Sequence, residues 1–447
     1  MLSLIGTHLY IEIPNFNAVM LYEENQSGSI KHSFHALDTL FSAIEVFAKN
    51  QNSSFKVEKI TGGRLHLYSE GSPLETIDSV LAIARYAFGA VNTINQDEPK
   101  YKSLLDFEVR LGADNGKFYL FEFKSNDGYA ELTSIGFAAN YAAKLQSVAH
   151  DLQIAISKEL YDELSQDKKK FFNGYTDVAL KKYTDDPYYV ATLSSELFNG
   201  PLSESQKNDI RERAAKVNLT DMSAENVRTK IDFNNLSRKT YKRLTGIPLL
   251  ADVRGFTKQF ADDDSNLEEM ASKTQKILTG MYNEVVNADG EHIQFQGDRE
   301  MALFHDYDSA KSGCTTRATL CAMRMIDIVG KNTGVSIGIG FDFGRLFAVK
   351  IGARDEKDRL LLGETVSTSD RLEDKHAGEN QIAISKEVWE KLRIEDKGLA
   401  KVFKPKGNNI YVATIGYKEY QKQFIARDNE RETRQRSYNP AWGCRQC

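Results

Sequence analysis

Apolar residues recur at helical spacing twice along the chain, as Phe34, Leu37, Leu40, Phe41, Ile44 and Phe47 and again as Leu267, Met270, Ile277, Leu278, Met281 and Val285. Each stripe predicts a long helix with one face turned to a core rather than to a ligand. After each stripe two short strand-like runs flank a glycine-containing turn, "KITGGRLHL" and "IQFQGDREMALF", which predicts a β-hairpin. In both halves the coarse order reads strand, long helix, hairpin, helix, strand, helix, strand.

The halves are copies of one another, and such repeats organise the whole reading. "QIAISKELYDEL" (153–164) returns as "QIAISKEVWEKL" (381–392), and "KKYTDDPYYVATL" (181–193) as "FKPKGNNIYVATI" (403–415). Upstream and in the same order, "SIGFAANYAAKLQ" (134–146) pairs with "LLGETVSTSDRLE" (361–373), and "LYIEIPNFNAVM" (9–20) with "LLADVRGFTKQF" (249–260). Two tandem α+β domains follow, over 1–195 and 245–415. Residues 196–244, rich in Lys, Arg, Asp, Glu and Asn, read as a charged, solvated helical connector, and 416–447 as a charged tail that is either loosely ordered or a packing arm.

Bulk properties narrow the choices. A chain of 447 residues exceeds what one core serves. With 58 basic and 63 acidic residues, a net charge of −5 offers no general attraction to nucleic acid or to an anionic membrane, so an anionic ligand must be held by local groups. No apolar run is long enough to cross a membrane, and "MLSLIGTHLYIEI" lacks the features of a signal peptide, so a cytoplasmic location is expected. Four cysteines make no disulfide framework: Cys314 and Cys321 read as core thiols, and Cys444 with Cys447 as half of a zinc site with no second pair nearby.

The chemistry concentrates in the second half. Asp252 ends the apolar run of "LLADVRGFT", where a lone charge is expensive to desolvate, and Asp298 sits in the hairpin turn of "FQGDRE". Singly, the first reads as a helix cap and the second as an ordinary turn residue. If the two strands are neighbours, both acids reach one sheet edge, and two close carboxylates call for a cation such as Mg²⁺ or Mn²⁺. The Gly255-Phe256-Thr257 turn that follows offers backbone N–H groups to phosphate oxygens.

"LLADVRGFT", "QGDREMALF", "GIGFDFGRLFAVKIG", "LLGETVSTSDRLE" and "GENQIAISKEVW" resemble, in order and spacing, the class III nucleotidyl cyclases, strongly over 245–415 and more weakly over 5–195. The resemblance implies two ferredoxin-like cyclase domains packed head to tail as a pseudo-heterodimer, with the active site between them. It puts two divalent cations, Mg²⁺ or Mn²⁺, on Asp252, Asp298 and the Val253 carbonyl, where the first half carries Glu12 and Gly63. The ribose-orienting asparagine falls on Asn140, against Ser367 in the second half. The transition-state arginine falls on Lys144 in the first half and Arg371 in the second. Base reading falls on Lys59 and Thr133, against Gln294 and Leu360, and the terminal-phosphate lysine on Lys182 or Lys404. Gln381 stands where cyclases often carry a phosphate-binding arginine.

The losses are complementary, which implies one composite site joining Asp252 and Asp298 to Lys59, Thr133, Asn140, Lys144 and Lys182. Lys144 makes no bidentate phosphate contact, which keeps Arg371 in play through pairing of second domains in a homodimer. A lysine donor beside a hydroxyl acceptor suits an amine-bearing base edge, hence ATP or CTP. Tandem domains with a degenerate first copy look like the pyrimidine cyclases of the Pycsar antiphage systems, which favours CTP, with ATP next, and a downstream effector of the cyclic nucleotide. A catalytically silent nucleotide-binding scaffold is the alternative.

Overall fold

The computed structural model describes residues 2–425 apart from 125–129, 179, 182, 195, 199, 220–221, 234–235, 237–239, 256–266 and 352–357. Lys182, Phe256, Thr257, Cys444 and Cys447 therefore lie outside the described residues. In the first half the strands are β1 (Leu2–Glu12), β2 (Lys56–Thr61), β3 (Arg64–Glu70), β4 (Arg110–Lys124), β5 (Ala130–Ile135), β6 (Gln153–Ile156), β7 (Asn173–Tyr175) and β8 (Tyr188–Thr192). They form one sheet in the order β2-β3-β1-β4-β6-β8-β7, with β5 on β4.

The second half adds β9 (Ser223–Asn226), β10 (Thr240–Val253), β11 (Glu291–Gln296), β12 (Arg299–His305), β13 (Ile337–Phe341), β14 (Gly344–Ile351), β15 (Asp358–Leu362), β16 (Gln381–Ser385), β17 (Lys404–Gly407) and β18 (Ile410–Ala413). Their order, β11-β12-β10-β13-β16-β18-β17, repeats the first sheet, so the α+β tandem expected from the repeats is the observed architecture. The two apolar stripes are where the spacing places them: Lys31–Lys49 buries Phe34, Leu37, Leu40, Phe41 and Ile44, and Leu267–Asn287 buries Ile277, Leu278, Met281 and Val285.

The halves are joined by exchanged arms. The end of β4 with β5 delivers Phe121, Phe123 and Ile135 into the core of the second half, where Phe123 meets the Phe295 ring edge-to-face at 4.8 Å. In return β10, β14 and β15 deliver Tyr241, Phe347, Val349, Ile351, Leu360 and Leu362 into the core of the first. Hydrogen bonds follow the apolar exchange: Ile60 N–H donates to Asp358 at 2.6 Å, and Phe295 N–H donates to Glu131 at 3.0 Å.

The connector departs from the solvated picture. Its helix Glu204–Ala215, opened by a Ser203–Gln206 capping box, buries Ile210 and Ala214 against the first half. β9 then pairs with β10, which starts at Thr240, ahead of the boundary read from composition. At the other end Tyr420 is buried in the second core, so the described start of the tail packs as an arm. Cys314 and Cys321 are buried free thiols.

If the arms carry the association, Phe123→Ala removes a fully buried ring from the other half's core. We expect a loss of about 3–5 kcal/mol in urea unfolding, with the second half's near-ultraviolet signal lost first.

Candidate active site

Pairing of β10 with β12 and β13 brings the two acids to one edge. Ala251 lies opposite Glu300 and Asp252 opposite Gly338, while Gly297, at φ 68°, makes the tight turn that presents Asp298 beside them. Burial pushes the Asp252 carboxyl above its ordinary range, against the pull of Arg299 and Arg254. Burial and then the neighbouring charge of Asp252 push Asp298 well above 3.8. Two neighbouring carboxylates, the charge of Asp252 raising the proton affinity of Asp298, with the Val253 backbone on the same wall, form a hard oxygen donor set that fits Mg²⁺ or Mn²⁺.

Facing these acids across a cavity of about 720 Å³ are side chains of the first half: Lys59, Asn140, Lys144 and Tyr183. Asn140 and Lys144 stand four residues apart on the helix Phe137–Val148, hence on one face. The Lys144 ammonium is near enough to Asp252 to lower its proton affinity, and the Tyr183 hydroxyl is raised by burial and then by Asp252, Asp374 and Asp298. Gly255 also lines the cavity.

Other expected residues sit elsewhere. Thr133 is fully buried beneath the wall rather than lining it, and its neighbour Ser134 takes that place. Arg371 is exposed at the end of Glu364–Arg371 and lines neither this cavity nor the one related to it by the repeat. Lys404 is exposed at the start of β17, and the Gln381 amide oxygen accepts from Gly378 N–H at 3.0 Å.

The repeat-related cavity is the internal comparison. It measures about 210 Å³ and is lined by Glu12, Gly63, Gln294, Leu360 and Ser367 among others. There Glu12, which stands where the second half has Asp252, already has its cation in the protein: Arg110 at 2.6 Å, with Arg64 at 3.3 Å. Asn17 donates to Ser367 at 2.6 Å, closing the mouth between the halves.

Sequence reasoning missed the guanidiniums around Asp252 and Asp298. Arg254 bridges Asp252 at 3.2 Å and the buried Glu373 at 2.7 Å, and Arg299 reaches the same Glu373 and Asp370. A Cβ on Gly338 would fall 1.8 Å from the Arg254 guanidinium, so only glycine admits it. Burial raises Glu373 to about 7, offset by Arg299. The signal was present, since each acid is followed within two residues by an arginine, "DVR" and "GDR".

Two matching sheets, with an acid pair at the larger of the cavities between them, are the arrangement of the class III nucleotidyl cyclases. The chain belongs to the family of the adenylate and guanylate cyclase catalytic domain, which matches residues 7–189 and 241–425. Among curated proteins it is similar to uridylate cyclases from Pseudomonas aeruginosa and from a Rhizobium species. Each is 22% identical, over 392 and 404 residues, covering 82% of this chain and 74% and 75% of theirs. Among solved structures, a class III adenylyl cyclase-like ATP-binding protein from Pseudomonas aeruginosa matches with a TM-score of 0.72 at 18% identity, covering 94% of this chain and 90% of that one, a likeness of fold.

The raised acid pair makes a stability prediction. A carboxyl whose folded proton affinity exceeds its unfolded one weakens the fold at pH values above the raised pKa, and the penalty disappears as pH falls below about 3.8. Asp298→Asn should therefore raise the metal-free melting midpoint at pH 7 by a few degrees and abolish the further rise that Mn²⁺ gives the unaltered protein. Scanning calorimetry with and without Mn²⁺ reads both.

Proposed function

We propose that the protein cyclises a pyrimidine nucleoside triphosphate to its 3′,5′-cyclic monophosphate and pyrophosphate. The observation that carries this reading is the convergence of Asp252 and Asp298 from one half with Asn140 and Lys144 from the other on a single cavity. The ribose 3′-oxygen attacks the α-phosphorus, the bond to the oxygen bridging the β-phosphate breaks, and the hydroxyl proton leaves to solvent. Asp252, Asp298 and the Val253 carbonyl would hold two divalent cations, Mg²⁺ or Mn²⁺, which would supply the positive charge that lowers the hydroxyl pKa and neutralises the phosphates.

The chain's own groups do the rest. Asn140 orients the ribose, and Lys144 neutralises charge developing on the α-phosphate, with Arg371 left as a group that only a second chain could bring in. Lys182 takes the terminal phosphate, and the Gly255-Phe256-Thr257 backbone holds the phosphate oxygens. Lys59 with Thr133 points to ATP or CTP, and the resemblance to the pyrimidine cyclases of Pycsar systems favours CTP. Thr133 does not line the cavity, and the relatives are named uridylate cyclases, so UTP stands beside CTP. In this reading the product is a second messenger for a downstream effector in bacterial antiphage defence, made by a cytoplasmic enzyme; no helix among the described residues is long and apolar enough to cross a membrane. A silent nucleotide-binding scaffold is the second reading, favoured by Lys144 in place of arginine and opposed by the retained acid pair.

Initial rates with Mn²⁺ and each of the four triphosphates, with products separated by chromatography, test it. Cyclic UMP or cyclic CMP should dominate, and Asp252→Ala should reduce either to background. Cyclic AMP or GMP as the main product overturns the pyrimidine assignment; no cyclic product from any triphosphate leaves the scaffold.

A further inference from the structure

Strand β2 carries a bulge. Val57 pairs with Leu67, the register then shifts, and Lys59 pairs with His66, so Glu58 is the extra residue. Its two neighbouring polar side chains consequently serve different partners. Lys59, at the position where the family resemblance places base reading, contacts the Glu131 carboxylate and the Phe295 carbonyl across the domain boundary, and is buried. Glu131 is in turn fixed by Phe295 N–H at 3.0 Å and by His292 Nε2 at 3.2 Å, and His292 Nδ1 meets Glu300 at 2.7 Å. Two of the three ammonium protons of Lys59 are thus committed to tying the arm of the first half to the hairpin of the second.

Glu58 has the opposite character. It lines the large cavity together with Ser134, His66 and Tyr10. Ser134 N–H donates to it at 2.9 Å, the Ser134 hydroxyl donates to the other oxygen, and His66 Nδ1 lies at 3.1 Å. His8 Nδ1 at 2.9 Å from His66 Nε2 fixes the imidazole from behind, and Tyr10 stacks on that ring at 4.0 Å. These three donors use three of about four acceptor positions of a carboxylate, and the Thr133 hydroxyl at 3.5 Å is too long to saturate the fourth. In the second half the register shift falls between His292 and Gln294, so the extra residue is the buried, apolar Ile293; the carboxylate belongs to this half alone.

We propose, resting on the cyclase reading above, that Glu58 is the specificity-determining residue for the base, accepting a hydrogen bond from a pyrimidine-edge N–H, while Lys59 is a positioning residue. The donor is N3–H in uracil and the N4 amine in cytosine. A carboxylate prefixed by three donors is a preorganised acceptor, and its charge makes the remaining bond a strong one.

The test is calorimetric titration of the full chain, with Mn²⁺, using α,β-methylene analogues of UTP and CTP that cannot cyclise, and inorganic tripolyphosphate as a probe of the phosphate end. The unaltered protein should prefer one pyrimidine: UTP points to N3–H as the donor, CTP to the amine. Glu58→Gln should weaken the preferred analogue at least tenfold relative to the other and leave tripolyphosphate unchanged. Should that variant not fold, Glu58→Asp, which keeps the charge but withdraws it, should move the same ratio. Lys59→Met should lower the melting midpoint and leave the UTP:CTP ratio as it was. A ratio held in the Glu58 variants, or moved by Lys59→Met, overturns the proposal, as does equal binding of both analogues. The cyclase reading fails separately, by absence of cyclic product from the natural triphosphates, and the binding ratios still decide the role of Glu58.

Discussion

A carboxylate on each exchanged arm accepts a backbone N–H from the hairpin strand of the opposite half, Glu131 from Phe295 and Asp358 from Ile60. The apolar arms place Phe123 and Phe347 in foreign cores, but it is these two bonds that set the hairpins, and with them the Asp298 turn, at a fixed height against the helix bearing Asn140 and Lys144. An apolar interface alone specifies area more than register, whereas a buried acceptor must find its donor. The cavity between the halves exists because those acceptors have one solution.

The same pair shows how a duplicated fold becomes asymmetric. Glu131 has Lys59 and His292 beside it, and although burial acts to raise its carboxyl, they hold it at about 2. Asp358 is raised by burial to about 7, against the pull of the same Lys59. The acids lining the two cavities repeat the lesson. Asp298 is raised by burial and by the charge of Asp252, whose partner Arg254 also serves Glu373, while Glu12 at the equivalent place is answered by Arg110 and Arg64. The first cavity therefore holds two neighbouring acids whose nearest guanidinium, Arg254, is shared with Glu373, whereas the second holds Glu12 in an ion pair of its own.

Much of this was legible in the chain. The recurrence of "QIAISKE" announced two copies, the ordered acid motifs pointed to the candidate site, and the helical stripes lie where their spacing put them. The arms were not legible, because alternation along β4 says which face is buried but not in whose core, and β4 serves both. Glu58 was hidden by its bulge, which breaks the two-residue period that would have aimed it away from Lys59's partners. The connector misled because charge dominates its composition while two residues, Ile210 and Ala214, anchor its helix. Arg254 and Arg299 escaped notice because an arginine beside an acid in sequence says nothing about whether a third, buried carboxylate such as Glu373 gathers both.

The central claim is that catalysis takes place at one composite site and that the repeat-related site is spent. It is tested most directly by comparing initial cyclisation rates of two double variants of the full chain, Asn140→Ala with Lys144→Ala and Ser367→Ala with Arg371→Ala. The account predicts a fall of about 100-fold or more for the first pair and a rate near that of the unaltered protein for the second. A collapse of the second pair with survival of the first would contradict it, and would place the chemistry between second domains of two chains.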